Sequence, residues 1–181
     1  MKLDFRLFPK LETKRLLLRQ FILSDAADLF EIRSNPDVID FTDQKLDEYI
    51  EDSIKFINII NLGIEKQKWI NWAIVHKDTN KMIGSINLWN FNKNENKAEV
   101  GYSLNPLYQG KGLMSEALEK VIDYGLNVME LGSIEAWTEK RNLKSIKLLE
   151  RNNFKYLRVE KEMGYYKKQN FYMNVYEINK R

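Results

Sequence analysis

Two glycines one residue apart lie in the middle of the chain, in the segment Gln109-Gly110-Lys111-Gly112, directly before an amphipathic pattern. Glycine lets the backbone turn tightly and approach a ligand closely. A helix that begins here directs its first N–H groups outward, and such a helix end binds phosphate oxygens. The segment therefore predicts a phosphate-binding loop, and a plain turn before a helix is the alternative.

Two better-known phosphate motifs do not fit this segment. The P-loop needs Gly-x-x-x-x-Gly-Lys followed by Ser or Thr, and the dinucleotide fingerprint needs a third glycine where this chain has Ser115. Neither a nucleotide hydrolase nor a dinucleotide-binding protein follows from these glycines.

The composition excludes several other kinds of chemistry. The chain has no cysteine, which rules out disulfides, thiolate metal sites and a cysteine nucleophile. Its only histidine, His76, ends a strand-like run and leads into a polar turn, so we interpret it as a surface residue and expect no metal site. The net charge of +3 comes from interspersed charges, which is too weak a pattern for binding nucleic acid.

Length and hydrophobic patterning limit the architecture. The 181 residues, 44% of them hydrophobic, suit one domain over residues 1–181 that can bury its own core. There is no apolar run long enough to span a membrane, and the N-terminus lacks the apolar stretch of a signal peptide. We therefore expect a cytoplasmic protein that does not bind membranes.

Hydrophobic periodicity predicts the elements that must position the glycine loop. The predicted strands cover residues 13–19, 70–75, 82–89, 99–104, 133–138, 154–159 and 171–178. The predicted helices run from a cap at Ser24 to about Arg33, from Lys45 to Leu62 with Gly63 as the stop, from Met114 to Met129, and from Leu143 to about Asn152. This order indicates an α/β protein with a mixed sheet and helices on both faces.

The strand before the glycine loop has two distinct faces. Val100, Tyr102 and Leu104 share one face, which leaves Glu99, Gly101 and Ser103 on the other.

Four separated segments occur in order along the chain: Thr13-Lys14-Arg15-Leu16-Leu17-Leu18-Arg19, Glu99-Val100-Gly101-Tyr102, Gln109-Gly110-Lys111-Gly112, and Asn142-x-x-Ser145-x-x-Leu148-Leu149-Glu150. Together they resemble the GNAT superfamily of N-acetyltransferases, and within it the RimJ/RimL ribosomal-protein branch. The resemblance spans roughly residues 11–178 and implies a mixed, mostly antiparallel, twisted sheet of about seven strands. It also implies an enzyme that transfers the acetyl group of acetyl-coenzyme A to an amine.

The resemblance further implies where coenzyme A binds. The amides of residues 110–115 would hold its diphosphate, and the strand end would pair with its pantetheine arm beside a bulge at Gly101. Asn142 would bond the pantetheine, although an asparagine before a helix is equally suited to be an N-cap. Met114 departs from the family pattern, in which a small residue is usual. The predicted cofactor-binding residues are Ser103, Leu104, Gln109, Gly110, Lys111, Gly112, Leu113, Met114, Ser115 and Asn142.

Direct attack by an amine needs a base and benefits from an acid for the leaving thiolate. The resemblance places a base at Glu99, with Glu135 in reserve; a solvated carboxylate or an ion-pair partner is the alternative. The tyrosine that serves many family members as the acid is absent, because its position holds Leu149. Ser145, one turn after Asn142, or a water molecule would take that role, and an ordinary helix serine is the alternative.

The acceptor side is expected to consist of residues 25–33, 45–62 and the loop between them, where aromatic and acidic residues mix (Phe30, Phe41, Tyr49, Asp37, Asp40, Asp43 and Glu48). Together with the RimJ/RimL resemblance, this composition predicts a protein or peptide N-terminal amine as the acceptor. A small amine or polyamine, a noncatalytic acyl-CoA-binding module and a nucleic-acid-binding domain are the alternatives. The chain is expected to be a monomer or a homodimer.

Overall fold

The computed structural model describes residues 1–180, which form one eight-stranded sheet flanked by helices. The strands are β1 (Leu11–Glu12), β2 (Leu16–Arg19), β3 (Ile70–His76), β4 (Lys81–Asn92), β5 (Lys97–Leu104), β6 (Ser133–Glu139), β7 (Lys155–Met163) and β8 (Asn170–Asn179). The helices are α1 (Ala26–Arg33), α2 (Pro36–Ile39), α3 (Ile50–Glu65), α4 (Leu113–Asp123) and α5 (Leu143–Arg151).

The strand order in the sheet is β1-β2-β3-β4-β5-β6-β8-β7. The pair β5 and β6 is parallel, and every other neighbouring pair is antiparallel. The predicted mixed, mostly antiparallel sheet with helices is therefore confirmed. The eighth strand is the two-residue β1, which is too short to leave a periodic signal.

Helices cover both faces of the sheet. The amide of Met82 on β4 donates to Asp28 of α1, whereas Gly125 after α4 lies against Leu88 on the opposite face of β4. Because both faces are covered, residues Ile70–Val75 of β3 are all buried instead of alternating with exposed ones. We refer below to the α1–α3 face and the α4–α5 face.

The helix after the glycine loop forms where the sequence predicts it. Buried side chains recur along α4 at helical spacing, from Leu113 to Ile122. The chain then continues as a π-helical turn, Tyr124–Val128. Among residues 1–180, no helix is long and apolar enough to cross a membrane.

The predicted bounds of α3 are wrong at both ends. The helix begins at Ile50 and not at Lys45, because the buried Asp47 is held outside it by an ion pair with Arg33 and a hydrogen bond from Ser53. The helix continues past Gly63, so this glycine is not its stop. Gly63 instead makes room for the Trp69 ring, which a β-carbon at this position would overlap.

Two smaller predictions are also wrong. Ser24 lies inside a short 3-10 turn, Leu23–Asp25, and the carboxylate of Asp25 instead accepts the amide of Ile22. No bulge occurs at Gly101, since the pairing of β4 with β5 is regular there; the irregularity lies between Trp89 and Asn92. Gly101 instead leaves space for the side chain of Asn87, which accepts the Gly101 amide.

Candidate active site

The sheet opens between β5 and β6. These strands pair in parallel over three residues only, from Lys97 opposite Ser133 to Glu99 opposite Glu135. Beyond that point both strands continue, β5 to Leu104 and β6 to Glu139, without pairing with each other. The backbone groups along the two diverging arms are thus available to a ligand.

A cavity of about 460 Å³ lies at this opening. It is lined by α1, residues 38, 39 and 41–44, Phe56 of α3, the middle strands, the first turn of α5 and parts of β7 and β8. Ser103 and Gly101 reach it from the α1–α3 face of β5, and Tyr102 reaches it together with Ser145 of α5. The cavity is therefore bordered by side chains from both faces of the sheet.

The glycine loop has the backbone geometry that the sequence indicates. Gly110 and Gly112 both have φ of +75°, a left-handed conformation that favours glycine. Gly112 is the N-cap of α4, and no side chain caps this helix. The first amides of α4 therefore have no partner within the helix and can bind an anion.

An ion pair connects the glycine loop and the start of α4 to Arg15, the residue directly before β2. The side chain of Arg15 donates from Nε to Glu116 of α4 at 2.7 Å and from Nη1 to the carbonyl of Lys111 at 2.9 Å. Glu116 also accepts from the Arg15 amide and from the hydroxyl of Thr13. Partial burial raises the pKa of Glu116, but the bonds from Thr13 and Arg15 outweigh this effect and hold the pKa below its usual range.

The side chain of Gln109 connects the two ends of the opening. Its Nε2 donates to the carbonyl of Leu104 at the end of β5, and its Oε1 accepts from Lys144 in the first turn of α5 at 3.1 Å. The Lys111 ammonium, in contrast, is exposed and donates to the carbonyl of Leu107. The side chain of Gln109 thus holds the loop in place between the end of β5 and the start of α5.

Three further predicted cofactor residues use their side chains elsewhere. Leu113 and Met114 are buried in the core beneath α4, so only their amides face the loop. The Ser115 hydroxyl bonds the side chain of Asn152 at the end of α5. Met114 is therefore accommodated by pointing its side chain inward, away from the ligand side of the loop.

The end of β5 provides the two remaining predicted contacts on that strand. Ser103 lines the cavity, and its hydroxyl lies 3.1 Å from that of Ser85 on β4. Leu104 is buried, so it can offer a ligand only its backbone.

Asn142 and Ser145 lie together at the start of α5, and both line the cavity. Asn142 is the N-cap of the helix, and its Oδ1 accepts the amide of Ser145 at 3.1 Å. The amide nitrogen of the Asn142 side chain is left for a ligand. The Ser145 hydroxyl lies 2.8 Å from that of Tyr102.

Glu99 lies one residue outside the part of β5 that lines the cavity. Trp89, its partner on β4, and Val100, its neighbour, both belong to the lining. Burial raises the pKa of Glu99, and the charges of Glu135 and Glu162 raise it further against the opposing hydrogen bond from Asn90. A raised pKa brings a carboxylate closer to the range in which a general base works.

Glu135 is held differently, although it pairs directly with Glu99 across the sheet. It is only 4% exposed, receives hydrogen bonds from Trp137 and Lys97, and has Arg158 at 3.6 Å. Burial raises its pKa, but the bonds from Trp137 and Lys97 outweigh this effect and lower it. This ion-paired carboxylate is a poor proton acceptor.

Comparisons with known proteins agree with this geometry. Residues 15–155 match the family model of the acetyltransferase (GNAT) domain. The chain is 32% identical over 174 residues to the uncharacterized N-acetyltransferase YoaA of Bacillus subtilis, covering 96% of this chain and 98% of YoaA. The chain belongs to the GNAT family of acetyltransferases. It is accordingly an N-acetyltransferase that uses acetyl-CoA and acts on an amine.

Two solved structures with the same fold have names that specify different acceptors. RimL, a ribosomal alpha-N-protein acetyltransferase in complex with coenzyme A, superposes with a TM-score of 0.80 at 20% identity, covering 94% of this chain and 98% of RimL. Spermidine N-acetyltransferase from Vibrio cholerae, in complex with CoA and spermine, superposes with a TM-score of 0.79 at 18% identity, covering 93% of this chain and 97% of that one.

The residues present in this GNAT acetyltransferase fit acetyl-CoA. The uncapped start of α4 and the positive-φ glycines suit a diphosphate, and a β-carbon at Gly110 would meet nothing within 4 Å, so the loop is open to a ligand. The unpaired arms of β5 and β6 suit an amide-bearing chain that adds along a strand. Bound acetyl-CoA supplies the thioester carbonyl that the amine attacks.

Sequence reasoning missed three side chains of the acetyltransferase site. Tyr102 was assigned only to a strand face, and Arg15 only to a family segment. Glu162 of β7 lines the cavity, but its strand carries many exposed polar residues and gives no signal that singles it out. The alternation along β5, which places Tyr102 opposite Glu99 and Ser103, could have identified the first of them.

The segments predicted to form the acceptor wall line the cavity, but only some of their predicted side chains do. The segments around α1, α2 and α3 do line the cavity, and of the seven side chains predicted there Phe41 and Asp43 belong to the lining. The other five, Phe30, Tyr49, Asp37, Asp40 and Glu48, do not. Within residues 1–180, no group of three or more His, Asp or Glu side chains could hold a metal ion.

Proposed function

We propose that this acetyltransferase modifies the N-terminal amine of a protein or peptide. The observation that carries the proposal is the charge of the cavity. Three carboxylates line it, and two of them are engaged: Asp43 accepts backbone amides, and Glu139 pairs with Arg141. In the described chain, Glu162 has no such partner.

One available carboxylate suits one ammonium group. A buried cation needs a partner, and a polyamine brings several cations separated by methylenes. The cavity also contains Arg33 of α1, whose charge is balanced by Asp47, so this part of the wall offers no carboxylate to a second ammonium. An N-terminal peptide presents a single ammonium followed by neutral amides, which matches this balance better.

The neutral part of the wall supports the same acceptor. Ser85, Asn87 and Asn71 line the cavity along the α1–α3 face and offer hydrogen-bonding groups to a peptide backbone. Aromatic side chains, among them Trp89 and Phe41, provide apolar surface for the first side chains of the peptide. RimL, by its name, acts on a ribosomal protein, while the likeness to spermidine N-acetyltransferase keeps a polyamine as the competing acceptor.

For the chemistry, Glu99 is the proposed base. Because it lies just outside the cavity lining, it would take the ammonium proton through a water molecule, with Glu162 as the nearer competing carboxylate. Ser145 is the proposed hydrogen-bond donor to the leaving thiolate. The loop amides of residues 110–115, the backbone of Ser103 and Leu104, and the side chain of Asn142 are the proposed contacts to acetyl-CoA.

Steady-state kinetics on peptides that begin with Ser, Ala or Met, measured beside spermidine, test the acceptor. We expect the best peptide to exceed spermidine in kcat/KM, and its turnover to survive moderate salt, because backbone hydrogen bonds are screened less than purely ionic contacts. A spermidine kcat/KM a hundredfold above that of every peptide would reject the proposal. Coenzyme A binding without turnover of any amine would instead indicate a noncatalytic module. A cytoplasmic location and a monomeric or homodimeric state stay predictions.

A further inference from the structure

A pair of hydroxyl groups spans the α4–α5 side of the cavity. The Tyr102 hydroxyl on β5 lies 2.8 Å from the Ser145 hydroxyl in the first turn of α5, and both side chains line the cavity. The contact joins one arm of the sheet opening to the helix that follows the other arm. Tyr102 thereby faces the reaction space, and it is not among the proposed base, thiolate donor or coenzyme A contacts.

The pair lies on the opposite face of β5 from the carboxylates. Side chains alternate along a strand, so Tyr102 points away from the face that carries Glu99 and Ser103. The proposed acceptor wall covers that second face. An amine attacks a thioester from one side of the plane of its carbonyl group, so an amine that enters from the α1–α3 face leaves the α4–α5 side open to a group that bonds the sulfur.

Either hydroxyl can donate in this contact, and two properties favour Tyr102 as the donor. Burial raises the pKa of Tyr102 to about 12, so the phenol keeps its proton throughout the working pH range. A phenol is also a stronger donor than an aliphatic alcohol. With Tyr102 as the donor to Ser145 Oγ, the Ser145 proton is left to point into the cavity from the positive end of α5.

We infer that Tyr102 is a positioning residue that aims the Ser145 hydroxyl at the sulfur of the departing thiolate. Ser145 donates a hydrogen bond to the sulfur, and neither hydroxyl gives up its proton. Leu149, at the position of the absent family tyrosine, is fully buried and has no hydroxyl, so the donor that α5 offers lies one turn earlier, at Ser145. This inference deepens the proposed function and rests on it, since it requires that the enzyme transfers an acetyl group to an amine.

A double-mutant cycle tests whether Tyr102 acts through Ser145. Tyr102→Phe keeps the ring and removes the hydroxyl, and we expect kcat to fall roughly tenfold while the KM for acetyl-CoA changes less than about threefold. Ser145→Ala should lower kcat further, and the double variant should match Ser145→Ala within about twofold. Tyr176→Phe is the matched control, because Tyr176 is a buried tyrosine whose hydroxyl contacts Glu150 outside the cavity.

Binding of coenzyme A provides a measurement without turnover. A donor to the sulfur favours the thiolate and lowers the pKa of the bound thiol, so affinity should rise between pH 7 and pH 9.5 by about threefold or more relative to desulfo-coenzyme A. Tyr102→Phe and Ser145→Ala should reduce this rise. The charged groups that line the cavity, Arg33, Asp43, Glu139 and Glu162, act on both ligands, so the ratio cancels their contribution.

The outcomes separate the inference from the proposed function. If wild-type protein turns over an amine and Tyr102→Phe matches it in kcat and in the pH dependence of the affinity ratio, the inference is overturned. The inference is also overturned if the loss of kcat in the double variant equals the product of the losses in the two single variants, because Tyr102 would then act independently of Ser145. Thermal melting checks that each variant is folded. If the wild type binds coenzyme A and acetylates no amine, the proposed function fails instead.

Discussion

The glycine loop, which is the proposed coenzyme A side, and the proposed acceptor wall are built from different kinds of contact. The loop from Gln109 to Ser115 gets its shape from two positive-φ glycines and from the helix that begins beside them. The acceptor wall is held by contacts between distant segments, since Asp43 accepts the amides of Tyr165, Tyr166 and Lys167 in the turn between β7 and β8. Local sequence therefore sets the backbone shape of the glycine loop, to which Arg15 and Lys144 add long-range contacts, while the shape of the proposed acceptor wall depends on long-range contacts.

The largest effect on kcat is expected from replacing Glu99, the proposed base. Glu99→Gln should lower kcat roughly a hundredfold near neutral pH, because a general base contributes about that much, and leave acetyl-CoA affinity nearly intact. Since the pKa of Glu99 is raised, the acidic limb of the wild-type pH profile should lie above the usual range of a glutamate. A pH series of kcat from 6 to 9 measures both.

Comparison with two other carboxylates makes this test specific. Glu162→Gln removes the nearer competing base, and Glu160→Gln is its matched control two residues away on β7, outside the cavity lining. If Glu99→Gln keeps the wild-type kcat across the pH range and Glu162→Gln loses most of it, the base is Glu162 on β7 and not Glu99.

The ion pair behind the glycine loop should affect coenzyme A alone. Glu116→Gln removes the charge that holds Arg15, and we expect the KM for acetyl-CoA to rise about fivefold, equivalent to about 1 kcal/mol once the bonds are discounted for exposure. The kcat and the acceptor KM should stay within about twofold. Glu119→Gln, on an exposed part of the same helix, is the control. An equal rise in the acceptor KM would contradict the separation of the two sides.

The smallest effect is expected on the acceptor wall. Asp43→Asn removes the negative charge that accepts the backbone amides of the β7–β8 turn. The pKa of Asp43 is lowered first by the hydrogen bond from the Lys167 amide and then by those from Tyr166 and Tyr165. We expect the acceptor KM to rise about threefold with acetyl-CoA binding unchanged. The exposed Asp40 on the same segment provides the control, Asp40→Asn. Unchanged acceptor kinetics would show that the hydrogen bonds between Asp43 and the β7–β8 turn do not shape the site.

The same contrast explains what the sequence could predict. Helix α4 and the glycine loop follow from spacing within about twenty residues, and their positions agree with the structure. The start of α3 could not be predicted, because Asp47 leaves the helical pattern only when Arg33 and Ser53 are in place to bind it. Likewise, Gly63 reads as a stop until the Trp69 ring is known to pack on it.

In the site, residue types were easier to predict than partners. Asn142 was expected either as a ligand contact or as an N-cap, and its two side-chain atoms allow both, since Oδ1 caps α5 and the nitrogen is left over. The sequence favours Glu99 as the base and keeps Glu135 in reserve, but it does not show how differently the two carboxylates are held. They differ because Lys97, Trp137 and Arg158 converge on Glu135, an arrangement that requires three strands to be assembled.

Calorimetric titration of acetyl-CoA into the wild type and into Gly112→Asp tests most directly the claim that the glycine loop holds the diphosphate. The aspartate adds a side chain and a negative charge beside the uncapped start of α4, so we expect affinity to fall more than about tenfold, or about 1.4 kcal/mol. Gly112→Ala, which adds a side chain without charge at the same φ of +75°, should lose less. Unchanged affinity in a folded Gly112→Asp variant would contradict the account.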